Sequence, residues 1–177
     1  MQISKNMPYF SAAVVIFILL KLWFSSAGIE NLSFILTPVD KIFGLITGSQ
    51  SVYIQDSGYY HESFNILIDK SCSGFNFLLI CFLSFVFLIT GYFSSPLHKI
   101  LIFPVSLFFA WVLTIFVNAS RVYLAVIALI NTQKLLPNHQ DLIHSAINIT
   151  VYLFFLLLTF IAVDYLFKNR KIYEKSN

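Results

Sequence analysis

The sequence predicts an all-α polytopic membrane protein, with about four transmembrane helices and an extracytoplasmic segment that combines an interfacial helix with a hairpin. Three observations predict it. Of 177 residues, 58% are hydrophobic and 11% charged, with 20 Phe and a mean hydropathy of +0.82. A soluble domain carries about 25% charged residues, so too little charge is left here to coat a surface facing water. Four stretches reach the roughly 20 apolar residues that a helix needs to cross a hydrocarbon core about 30 Å thick. One substantial polar segment, Gly28 to Ser71, separates the first two.

The first span runs from about Tyr9 to Ala27, with Pro8 at its start, where proline is tolerated. It follows few basic residues and lacks a small-x-small cleavage site, so it reads as a retained anchor. After it, Asn31–Thr47 reads as an amphipathic helix at the membrane interface, broken by Pro38. Gly48–Lys70 has hairpin character, because an Asp56-Ser57-Gly58 turn lies between runs rich in Val, Ile, Tyr and Phe. The second span runs from about Ser73 to Phe93. Pro96 then lies in a turn. The third span starts near Ile100, takes Pro104 in its first turn or at a slight kink, and continues past Arg121 toward Ile130. The fourth runs from about Ile143 to Phe167. There is no internal repeat, and residues 1–177 read as a single membrane-embedded domain.

Charge placement sets the orientation. With both ends cytoplasmic, the inside holds Lys5, Lys99, Lys168, Arg170, Lys171 and Lys175. The outside holds Lys41, Lys70 and Lys134 among six acidic residues: Glu30, Asp40, Asp56, Glu62, Asp69 and Asp141. The expected site is therefore the cytoplasmic (cell) membrane, crossed several times. No basic run interleaved with aromatics points to nucleic acid. The four His show no metal-ligand spacing on one element, and no cofactor motif is present. Cys72 and Cys81 lie nine positions apart in what reads as one helix, roughly 13 Å along its axis. That is too far for a disulfide, which spans at most about 7 Å between Cα atoms.

On this topology three polar groups reach one depth. Cys72 stands at the outer start of the second span. Arg121 is about twenty residues, roughly 30 Å, from the inner start of the third. His144 opens the fourth. Each has an ordinary alternative: a small filler thiol, a snorkelling arginine, a polar boundary histidine. Their coincidence suits an activated nucleophile. A cysteine in the first turn of a helix meets a macrodipole that favours a thiolate. A neighbouring Arg121 acts in the same direction, and an imidazole at His144 can shuttle protons. Asn118 and Asn76 lie one turn from Arg121 and Cys72 respectively. Asn148 and Tyr152 share the face of His144.

The runs Ser71-Cys72-Ser73-Gly74-Phe75 and Asn118-Ala119-Ser120-Arg121, followed by His144 at the opening of the last span, resemble the pattern of the exosortase/archaeosortase family. The resemblance covers roughly Gly48 to Phe167. The chain is shorter than a typical eight-helix exosortase, so it looks like a minimal-length branch, of the exosortase K type. It also carries Asn148 where the family often has Gly four residues after the His. His139, which follows Pro137-Asn138 in a loop, is the alternative match; His144 is preferred because it lies on the helix. His61 and His98 fit worse.

The resemblance implies a membrane cysteine protease/transpeptidase with Cys72, Arg121 and His144 catalytic and Asn118, Asn76 and Asn148 supporting them. Its implied substrate is a secreted protein whose C-terminal sorting signal comprises a short motif, a transmembrane helix and a basic tail, cleaved at the extracytoplasmic face. Two non-enzymatic readings compete: a substrate-binding subunit of a membrane transporter, and a scaffold within a membrane complex. In the scaffold, Arg121 and Asp164 are packing or partner contacts; more plainly read, Asp164, near the inner end of the last helix, is a boundary charge, and Lys21 snorkels outward.

Overall fold

Four helices in the computed structural model, which describes residues 3–132 and 140–176, are long and apolar enough to cross a membrane. The qualifying stretches are Lys5–Ser26, Lys70–Thr90, Pro96–Asn131 and Ser145–Phe167. They fall within α1 (Ile3–Ser26), the 3-10 turn with α3 (Phe75–Thr90), α4 (Pro96–Thr132) and α5 (Gln140–Ser176). The protein is an all-α polytopic membrane protein with one small sheet. Large apolar side chains stand exposed along these helices, among them Leu19, Leu22, Phe108, Phe116, Phe154 and Ile161. Such surfaces would be prohibitive in water and match acyl chains.

The prolines sit differently from the sequence reading. Pro8 and Pro104 lie inside α1 and α4, and Pro96 opens α4 at its first position, where its missing N–H is no loss. Pro38 does not break the interfacial helix: α2 (Ser33–Thr47) runs through it. A proline inside a helix costs about 3 kcal/mol. Burial of Ile35, Leu36, Val39 and Phe43 on α2, at about 1.5–3 kcal/mol for each side chain, outweighs that.

The chain divides into two compact units, with α4 and α5 contributing to both. The first comprises Met1–Ser25, Asn76–Val112 and Phe155–Asn177. Ala13, Leu79, Phe82, Val86 and Ala110 are buried in it. Lys99 is also buried there. Its Nζ donates to Asn6 Oδ1 at 2.7 Å and stands 5.3 Å from the centre of the Tyr9 ring. Tyr92 donates to Asp164 Oδ1 at 3.2 Å. Desolvation, then this bond and the carboxylate's charge, raise the Tyr92 phenol above its ordinary value.

The second unit comprises Ser26–Phe75 and Leu113–Phe154. It holds α2 and an antiparallel sheet of order β1-β2-β3, formed by Val52–Ile54, Gly58–His61 and Ile66–Ile68. The hairpin read from sequence is β1–β2, paired Tyr53 to Tyr59. Its turn places Asp56 at a φ of 58°, a left-handed conformation that Asp tolerates. The third strand pairs Tyr60 with Leu67. It carries the chain to Asp69, where the candidate site begins.

Candidate active site

Asp69 organises the turn that holds the cysteine. Its Oδ1 accepts from the Ser71 N–H at 2.9 Å, the Cys72 N–H at 3.2 Å and the Ser71 hydroxyl at 2.6 Å. This caps a 3-10 turn, Lys70–Ser73. Lys70 ties the turn down by donating to the Ala27 carbonyl at 2.6 Å. Cys72 therefore precedes α3 rather than occupying its first turn, because Gly74, at a φ of 67°, interrupts the helical path. The Cys72 N–H is held by Asp69, and the helix proper starts at Phe75, whose N–H donates to Ser73 Oγ at 3.3 Å. Cys72 is half-buried with a free thiol, and Cys81 is a free buried thiol.

Gly74 brings this turn against α4 and α5. A Cβ at Gly74 would lie 3.1 Å from the Tyr152 hydroxyl oxygen and 3.2 Å from both Asn118 Cγ and Thr114 Cγ2. The close approach permits a relay. Asn118, fully buried on α4, donates Nδ2–H to the Cys72 carbonyl. Its Oδ1 accepts the Tyr152 hydroxyl proton at 3.0 Å. Thr114, Asn118 and Arg121 recur at i, i+4 and i+7, so one face of α4 supplies all three.

Arg121 is 5% exposed. Its Nη1 donates to Asn148 Oδ1 at 3.3 Å, and its guanidinium carbon stands 5.4 Å from the centre of the Tyr152 ring. Its Nε is buried without an acceptor. Among the described residues the one ion pair is elsewhere, between His61 and Asp40. Burying an ion costs several kcal/mol. One hydrogen bond to a charged group returns about 1.5–3 kcal/mol, and a desolvated cation–π contact about 2 kcal/mol. Arg121 is thus held where it contributes little to stability.

Cys72, Arg121, Asn118 and Asn148 thus belong to one connected group of side chains and main chain. His144 stands in α5 one turn before Asn148; its side chain lies outside the described residues, as does His139 altogether. Asn76 is exposed and its Oδ1 accepts from Lys21. The sequence reading placed Tyr152 on the His144 face but gave it no part. Its spacing four residues after Asn148 was the available signal, and the partner of its hydroxyl was not visible in one dimension.

A second polar cluster went unread. His61, 1% exposed, meets Asp40 Oδ1 through Nε2 at 2.9 Å and Ser49 Oγ through Nδ1 at 2.8 Å. It looks like a Ser-His-Asp arrangement, but its protons run the wrong way. Thr47 Oγ1 donates its one proton to the Phe43 carbonyl at 2.8 Å. Ser49 must then give its proton to Thr47 Oγ1, 2.7 Å away. Nδ1–H of His61 is then the donor to Ser49 and Nε2–H the donor to Asp40, so the ring is an imidazolium paired with the carboxylate and has no free nitrogen for the serine's proton. The cluster joins α2 to β2 and is structural. Among the described residues no group of His, Cys, Asp and Glu has the makings of a metal site. Comparison with protein-family models, curated proteins and solved structures finds no match to this chain.

Proposed function

We propose that this protein is an exosortase-like cysteine peptidase or transpeptidase of the cell membrane, with its active site at the extracytoplasmic face. One observation carries the reading most directly: a buried guanidinium with an unpaired Nε, connected through Tyr152 and Asn118 to the main chain of a half-exposed free cysteine. Uncompensated buried charge is a mark of sites rather than of scaffolds. In this reading the Cys72 thiolate attacks the scissile carbonyl of a sorting signal. Arg121 stabilises the thiolate or the oxyanion that forms next. His144 protonates the leaving amine, and the acyl-enzyme passes to water or to an acceptor.

The substrate class is a secreted protein ending in a motif, a transmembrane helix and a basic tail. Co-expression with a tagged protein of that design tests the proposal, scored by loss of its C-terminal helix. Wild type is expected to process it and Cys72→Ala is not; equal processing by the two defeats the reading. The buried cation also suits a transporter subunit that holds an anionic ligand. Copurification of a small anion with no processing in any variant favours that second reading.

A further inference from the structure

We propose that the Arg121 site binds a carboxylate, and specifically the peptide C-terminal carboxylate that hydrolysis of the acyl-enzyme produces. Arg121 carries a permanent positive charge at 5% exposure, and its only described polar partner is the neutral amide oxygen of Asn148 at 3.3 Å. Its Nε–H has no acceptor, and the Tyr152 ring covers one side at 5.4 Å. Planar guanidinium and planar carboxylate pair through two parallel N–H···O bonds, and Nε–H is one of the donors in that fork. An anion at this position neutralises the buried charge and satisfies the orphaned donor together.

The inference rests in part on the proposed thiol chemistry, which supplies the anion. In hydrolysis the acyl C–S bond breaks, a C–O bond forms to water, and one water proton returns to the Cys72 sulfur. The product acid ionises near neutral pH and becomes a ligand for Arg121. In transfer to an amine, a C–N bond forms instead, and the amide product is neutral and carries no such anchor. The site therefore retains its hydrolytic product and releases its transfer product, so the acid inhibits the enzyme and the amide does not.

The test uses full-length Cys81→Ala protein in detergent micelles, in which Cys72 is the sole thiol. The rate of Cys72 alkylation by N-ethylmaleimide is measured with N-acetyl-glycyl-glycine and, separately, with its C-terminal amide. The carboxylate at ten times its Kd is expected to slow alkylation about elevenfold by simple competition, and the amide at the same concentration is not. Arg121→Gln is expected to remove the protection. Equal protection by acid and amide, or undiminished protection in Arg121→Gln, overturns the proposal.

A second measurement stands apart from the thiol and from the folding of Arg121→Gln. In Cys72→Ala protein the carboxylate is expected to raise Tm and the amide to leave it unchanged; no difference between the two overturns the proposal. The two ideas fail separately. Full processing by Cys72→Ala sinks the enzyme reading and leaves a carboxylate site. Loss of processing without discrimination between acid and amide keeps the enzyme and removes the carboxylate site.

Discussion

The Cys72 carbonyl fixes which way Asn118 faces. It can only accept, so the amide nitrogen of Asn118 turns to it, and Oδ1 is left to take the Tyr152 hydroxyl proton at 3.0 Å. Without that hydroxyl Oδ1 loses this donor, and the side chain that holds the Cys72 carbonyl is no longer fixed at both ends.

Tyr152→Phe tests this relay. The ring that faces Arg121 remains and one hydroxyl goes. The expected loss of stability is about 0.5–1.5 kcal/mol, the net worth of one hydrogen bond. The expected fall in processing rate is about tenfold, larger than that stability loss explains, with KM little changed. A rate equal to wild type removes Tyr152 from the positioning of Cys72.

Gly74→Ala should be the most damaging single methyl in the site. The position has a φ of 67°, and three neighbours lie within 3.2 Å of the added carbon. Left-handed backbone alone costs a non-glycine residue about 1–2 kcal/mol, and the crowding adds to it. Gly91→Ala is the control, since a Cβ there meets nothing within 4 Å. Thermal unfolding of the two variants should separate them clearly, with processing lost in Gly74→Ala alone.

The Asp40–His61–Ser49 cluster yields a contrast between stability and activity. His61→Leu leaves a buried Asp40 without its partner, and removing one member of a buried pair costs about 3–5 kcal/mol. Ser49→Ala removes a hydrogen-bonded hydroxyl, worth about 1 kcal/mol. Because the Ser49 proton points to Thr47, processing should survive in Ser49→Ala. Its abolition there would make Ser49 a nucleophile and reverse the proton assignment.

These predictions also mark what the sequence could and could not reveal. The spans were legible because a membrane imposes a composition over about 20 residues, and that signal is local. The strand-turn-strand of Val52–His61 was legible for the same reason. Gly74 was not: a Gly beside an apolar run reads equally as helix start or helix break, and only its three neighbours decide. Pro38 looked like a break because the burial that offsets it comes from residues packed on α2 by the rest of the chain. Asp40 counted as an outside charge and Lys99 as an inside one, yet both are buried on partners 21 and 93 residues away. Cys72, Arg121 and Asn118 are candidates from motif and depth alone. The Tyr152 relay needed the Cys72 turn, α4 and α5 brought together.

Orientation is a separate claim, resting on Lys and Arg placement. Cysteine-accessibility labelling with a membrane-impermeant reagent should modify cysteines placed in Gly48–Lys70 from outside and cysteines placed in Lys168–Asn177 only after the membrane is opened. The reverse pattern would put the site on the cytoplasmic side, where a secreted substrate's sorting motif does not arrive.

The cysteine variants decide the chemistry. Cys72 is half-exposed in a turn, and Cys81 is buried in α3. Cys72→Ala therefore removes little packing and should change stability by less than about 0.5 kcal/mol, as surface substitutions do. Cys81→Ala loses buried sulfur and should cost about 1 kcal/mol with processing retained. A fall in processing that followed stability would order the two variants the other way. Arg121→Lys keeps the charge and loses the planar fork. If the guanidinium works by orienting an oxyanion or carboxylate, this variant should lose most activity, and if charge alone matters it should keep most. Measuring the three in one assay, with folding checked by thermal unfolding, separates nucleophile from filler. Abolition in Cys72→Ala, retention in Cys81→Ala and strong impairment in Arg121→Lys is the expected set. Retention in Cys72→Ala ends the acyl-enzyme mechanism whatever the other two do.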